Sequence, residues 1–133
     1  WLRSPKATMI TEYGLTGTDQ SLLVVNIHVI NFTFGEKGFR EQIRRALSIM
    51  NGHSGPLLLS GDFNTWHIGR SEILRELTAE LGLTMLNYDE DFRKRAFRQP
   101  LDHIYTRGLQ VIDSTSSRVD SSDHNPMSAR FSL

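Results

Sequence analysis

Cysteine is absent from this 133-residue chain. Disulfide frameworks, thiolate metal ligands and thiol catalysis are excluded with it. Net charge is absent too, because 15 Lys and Arg balance 15 Asp and Glu. Bulk charge therefore gives no pointer to nucleic acid or membrane, although local patches act even where the total cancels. No apolar run approaches the ~20 residues needed to span a bilayer. The opening "WLRSPKATMI" carries no secretory pattern and reads as a start part-way through a longer chain. Repeats, low-complexity tracts and flexible linkers are also missing. The length fits one modest domain, residues 1–133, compatible with the cytoplasm.

What is there alternates strand and helix. Residues 7–13, "ATMITEY", are rich in strand formers, "GLTGTDQ" supplies turn residues, and "SLLVVNIHVIN" is a second strand. Together they predict a hairpin. Over residues 36–51, Phe39, Ile43, Ala46, Leu47 and Met50 share one helical face, and Asn51-Gly52 ends the helix. "PLLLSGDFN" is a buried strand feeding a polar loop. A second helix spans 71–81 through Ile73, Leu74, Leu77 and Leu81, with Gly82 as its stop. "LDHIYTRGLQVIDSTS" predicts two strands around Arg107-Gly108, and "MSARFSL" closes with another. The class is α+β with a mostly antiparallel sheet.

Polar residues recur at the ends of these strands. Asn26 and His28 point to one sheet face, opposite Val25, Ile27 and Val29. They are either a solvated face or half of a site. In "GDFN", Gly61 permits a sharp strand exit. Asp62 and Asn64 beyond it are either an Asx-turn or helix cap, or functional. Asp102 inside "LDHIY" is unexpected, since aspartate is a poor strand former and a buried carboxylate needs a partner. His103 faces the other way and reads as structural. "SSDHNP" puts Asp123 and His124 in a loop before the last strand, where Pro126 pushes Asn125 toward an extended conformation.

Taken in this order, Asn-x-His, Gly-Asp-Phe-Asn, Asp-His-Ile and Ser-Asp-His resemble the endonuclease/exonuclease/phosphatase family, the fold of pancreatic deoxyribonuclease. "GDFNTW", "LDHIYTRGL" and "SSDHNP" look like its YafD-like bacterial branch. The resemblance implies a four-layer αββα sandwich, of which this chain would be the C-terminal part. It implies that Asp62 positions or deprotonates the attacking water and that Asn64 orients Asp62. It implies that His124 faces the scissile phosphate, that Asp102 holds the tautomer of His124, and that His28 serves as general acid or phosphate contact. It places Asp62, Asn64 and Asp123 on the metal side. Carboxylate and amide oxygens suit Mg²⁺ or Mn²⁺ rather than Zn²⁺.

The family's first half supplies an Asn and a Glu, the Glu being its principal metal ligand, and neither motif is present. Glu12, on the first strand, lies in the wrong place. The expectation is therefore a portion of a metal-dependent phosphodiesterase or phosphatase-type hydrolase, inactive or weak by itself. A half-sandwich also exposes sheet surface, and self-association through Leu22, Leu23, Val25, Ile27 and Val29 would cover it. Two other functions compete: a non-catalytic binding module keeping the fold, and a lipid or sugar phosphodiesterase. The substrate is a phosphate ester, with nucleic acid one option. "RKRAFRQP" (93–100) and the first helix's arginines either meet phosphates or form solvated basic surface. Trp66 either stacks on a base or caps the core.

Overall fold

The structure, a computed structural model, describes residues 6–31 and 35–133. The opening stretch 1–5 lies outside the described residues. The chain runs β1 (Thr8–Gly14), β2 (Ser21–His28), α1 (Lys37–Asn51), β3 (Leu57–Asp62), α2 (Ile68–Glu80), β4 (Thr84–Met85), β5 (Arg95–Ala96), β6 (Gln99–Pro100), β7 (Asp102–Arg107), β8 (Gln110–Ser116) and β9 (Met127–Ser132). A five-stranded sheet has the order β1-β2-β3-β7-β4. The pair β2–β3 is parallel, as a helical crossover through α1 requires, and the other three pairings are antiparallel. The strands expected around Arg107-Gly108 both form but do not pair with each other. Gly108, at φ +71°, turns the chain out of the main sheet, and β8 pairs with β9 in a separate ribbon.

Both helices cover one face of the main sheet. Phe39, Ile43, Ala46, Leu47 and Met50 of α1 are buried, as the 3.6-residue period demands. They pack in one cluster with Ile73, Leu74 and Leu77 of α2 and with Leu23, Val25, Ile27, Leu57 and Leu59 of the strands. Helix α2 starts at Ile68, three residues earlier than expected, because the His67 ring accepts the Gly69 N–H and caps it. Its end is as expected, with Gly82 in the left-handed region at φ +68°.

This arrangement corrects the self-association surface. Leu23, Val25, Ile27 and Val29 are buried inside the domain, so they offer nothing to a partner. The uncovered face is the opposite one. There Met9 pairs with Asn26, Tyr13 with Leu22, and Val24 with Leu58. Met9 is 63% and Tyr13 53% exposed. Leu22, the remaining member of the expected set, belongs to this face and is half-buried.

Candidate active site

The uncovered face carries the polar residues at one end. His28 on β2 is level with Asp62 on β3, and Asp62 is level with Asp102 on β7. The three side chains form one row across three neighbouring strands, because residues opposite one another in a sheet share a face. Asn26 and Ser60 stand one row behind, joined by a 3.0 Å hydrogen bond from the Asn26 amide. Gly61 makes the row feasible. Its φ is +141°, and a Cβ there would come within 1.9 Å of the Ile27 carbonyl oxygen. No other residue type lets β3 pass β2 that closely.

Beyond β3 the chain folds back on Asp62. Asn64 adopts φ +50°, which asparagine tolerates. Its backbone N–H donates to Asp62 Oδ1 at 2.9 Å, and its side-chain amide donates to Val29 O at 2.8 Å and Asp62 Oδ2 at 3.3 Å. The Asx-turn and the site role thus coincide in one loop. His28 Nε2 lies 3.4 Å from Asp62 Oδ2. The Lys6 ammonium donates to that same nitrogen at 2.6 Å. Lys6 therefore places a cation beside the carboxylate row.

His124 arrives from the loop between β8 and β9. Its Nδ1 is 2.8 Å from Asp102 Oδ2, the pairing expected from the resemblance. The surrounding residues of "SSDHNP" hold it there. Ser122 Oγ accepts the His124 N–H at 3.1 Å. The Asn125 amide donates to Phe92 O at 2.6 Å, and its oxygen accepts the Val119 N–H at 3.1 Å. Asp62, Asp102 and His124 each present a ligand atom within 4.8 Å of the others. Asp123 is exposed and stands outside this group, so the geometry does not bring the expected metal-side carboxylate to the row. Burial raises the pKa of Asp102 from its ordinary value. The bond to His124 opposes that rise, while the Asp62 charge adds to it.

A second polar network supports the row from behind. His103 is buried, as its opposite orientation predicts. Arg93 donates to its Nδ1 at 3.2 Å, and Thr65 Oγ1 lies 2.8 Å from its Nε2. Thr65 uses its own proton on Pro100 O. His103 must then be neutral, with the proton on Nε2. Burial, and next the Arg93 charge, push its pKa down to about 4. Arg93 is fixed by two 2.8 Å bonds to the Asp91 carboxylate. The Arg93 bonds hold the Asp91 pKa down to about 2. Arg93 is therefore buried framework, which is neither of the two alternatives for "RKRAFRQP", phosphate contact or solvated basic surface. Sequence reasoning missed Lys6 and Thr65, and named Asn125 and the stretch holding Arg93 without the bonds they make. Only Lys6 had a usable signal, since extending the first hairpin by one residue brings it level with the His28 end.

The family model for the Endonuclease/Exonuclease/phosphatase family matches residues 3–124. The chain belongs to this family. A UPF0294 protein of Vibrio vulnificus is 37% identical over 134 residues, covering 100% of this chain and 47% of that protein. The chain spans about half the length of the curated relatives it matches. Among solved structures, an endonuclease/exonuclease/phosphatase from Bacteroides vulgatus superposes with TM-score 0.73 at 18% identity, over 96% of this chain and 56% of that one. The mannosyl-6-phosphatase Bt3783 of Bacteroides thetaiotaomicron gives 0.70 at 18%, over 97% and 58%. These likenesses show the DNase I-like fold of the family. Its members are hydrolases acting on phosphate esters.

Proposed function

We propose that the full-length protein is a divalent-metal-dependent phosphodiesterase or phosphatase, with His28, Asp62, Asn64, Asp102 and His124 at its centre. The observation that carries this reading is the row His28–Asp62–Asp102 on adjacent strands, completed by His124 bonded to Asp102. Hydrolysis of a phosphate ester needs an oriented water, a counter-charge for the phosphoryl oxygens and support for the leaving alkoxide. Asp62, held at both oxygens by Asn64, is the base or orienting group for the water. Asp102 occupies Nδ1 of His124, which leaves Nε2 to address the phosphate. His28, with Lys6 behind it, contributes on the side of Asp62. The donor set of hard carboxylate oxygens fits Mg²⁺ or Mn²⁺, with Asp62 its main ligand in this segment. When bound, such an ion neutralises charge on the phosphoryl oxygens.

Two carboxylates and one imidazole make an incomplete cage among the described residues. Further ligands would come from the rest of the longer protein, and this segment alone would turn over weakly or not at all. The test is a panel of nucleic-acid, phospholipid and sugar-phosphate substrates, assayed with Mg²⁺ and Mn²⁺ on the full-length protein. The Asp62→Ala and His124→Ala variants should each lose roughly 10²–10⁴ in rate. Full activity in either variant, or no hydrolysis of any ester by the wild type, removes the proposal and favours a non-catalytic module.

A further inference from the structure

The hairpin β5–β6 is built at a cost that its own fold does not explain. Ala96 pairs with Gln99, so Phe97 and Arg98 form a two-residue turn. Both have positive φ, 48° and 71°. Such turns favour Asn-Gly, because bulky residues with a Cβ are strained there. Here the strained position carries a phenylalanine that is 84% exposed. Strain held at an exposed aromatic points to use.

The tip is also supported. Trp66 packs against Phe97 with ring centroids 6.3 Å apart, supporting one side and leaving most of the ring to solvent. Thr65, between Trp66 and Asn64, bonds Pro100 O, and Phe63 N–H donates to Leu101 O at 2.9 Å. The hairpin is thereby pinned to the loop that carries Asp62 and Asn64, and its last strand leads directly into Asp102. Phe97 lies five positions before Asp102, a span of at most about 18 Å. Arg98, next to Phe97 in the turn, is exposed, and so is Lys94 at the start of the hairpin.

We propose that Phe97, backed by Trp66, is a stacking platform for a nucleobase of a single-stranded nucleic acid whose backbone leads into the row Asp62–Asp102–His124. This rests on the phosphoesterase reading and narrows its substrate class. An aromatic face flanked by cations matches a flexible strand that alternates bases with phosphates. A lipid surface fits less well. Phe97 is the one exposed large apolar side chain in this hairpin, and stable membrane attachment takes more than one weak anchor.

The experiment measures fluorescence anisotropy of labelled oligothymidylate on the full-length protein in EDTA, so that no turnover occurs. An abasic oligomer of equal length and charge is the comparison. Wild type should prefer the base-bearing strand about tenfold, and Phe97→Ala should remove that preference, a loss of about tenfold. Phe97→Tyr should retain it. Binding of the abasic strand should not change with Phe97→Ala. Equal binding of both strands by wild type, or undiminished preference in Phe97→Ala, overturns the proposal. So does Phe97-dependent sedimentation with phosphatidylglycerol vesicles in place of oligonucleotide binding. Wild-type hydrolysis of a glycerophosphodiester with Mn²⁺ tests the phosphoesterase reading separately.

Discussion

Asp102 holds its place against its own solvation. Burial lifts its pKa, and the His124 bond does not fully compensate. The folded state therefore binds that proton more readily than the unfolded chain does. The stabilising contribution is complete below the ordinary aspartate range and is lost as pH rises through the raised value. At neutral pH the charged carboxylate costs stability. Asp102→Asn should thus raise Tm by a few degrees at pH 7.5 while lowering phosphoester turnover, with the gain in Tm shrinking toward acid pH. Calorimetry across pH 4–8 checks this. A less stable Asn variant at pH 7.5 would mean that the ion pair outweighs burial. The sequence marked Asp102 for a simple reason: an acid in an apolar strand needs a partner. It marked His28 through strand alternation and Asp62 through the glycine before it. Asp123 is exposed and not part of the Asp62–Asp102–His124 group, and neighbours in a loop have no fixed period, so adjacency to His124 does not fix where its carboxylate points.

Secondary elements with strong periodicity were readable to within a few residues. Helix α1 buries every residue its pattern nominated. Helix α2 was shortened in the reading because its cap is an imidazole, His67, rather than the usual hydroxyl or carboxamide. The partition of strands into separate sheets was not readable, since strand pairing is set by contacts far apart in sequence. Strand β3 owes its position to Gly61. Gly61→Ala adds a methyl 1.9 Å from Ile27 O at a φ of +141°. It should destabilise by about 3 kcal/mol or more, through overpacking and backbone strain together. Urea unfolding of the purified variant measures it. A change below about 1 kcal/mol, the typical cost of a point substitution anywhere in a protein, would mean that β2 and β3 are not held as closely as described.

The whole molecule leaves the face bearing Met9, Tyr13, Leu22, Val24 and Leu58 without helices. Among the described residues no helix is long and apolar enough to cross a membrane. The isolated segment should self-associate through it, and the double variant Met9→Lys, Tyr13→Lys should be monomeric by light scattering at the same concentration. Self-association unaffected by the two lysines would place the contact elsewhere.

The row of His28, Asp62 and Asp102 has one more implication, for how correctly folded molecules are recognised. Side chains alternate faces along a strand, so a slip of β3 by one position would send Asp62 to the helix side. The same slip would turn Leu57 and Leu59 out of the apolar cluster under the helices, so the core and the polar row depend on one and the same register. Correct pairing of β2, β3 and β7 is thus a single condition that the packed core and the assembled row share.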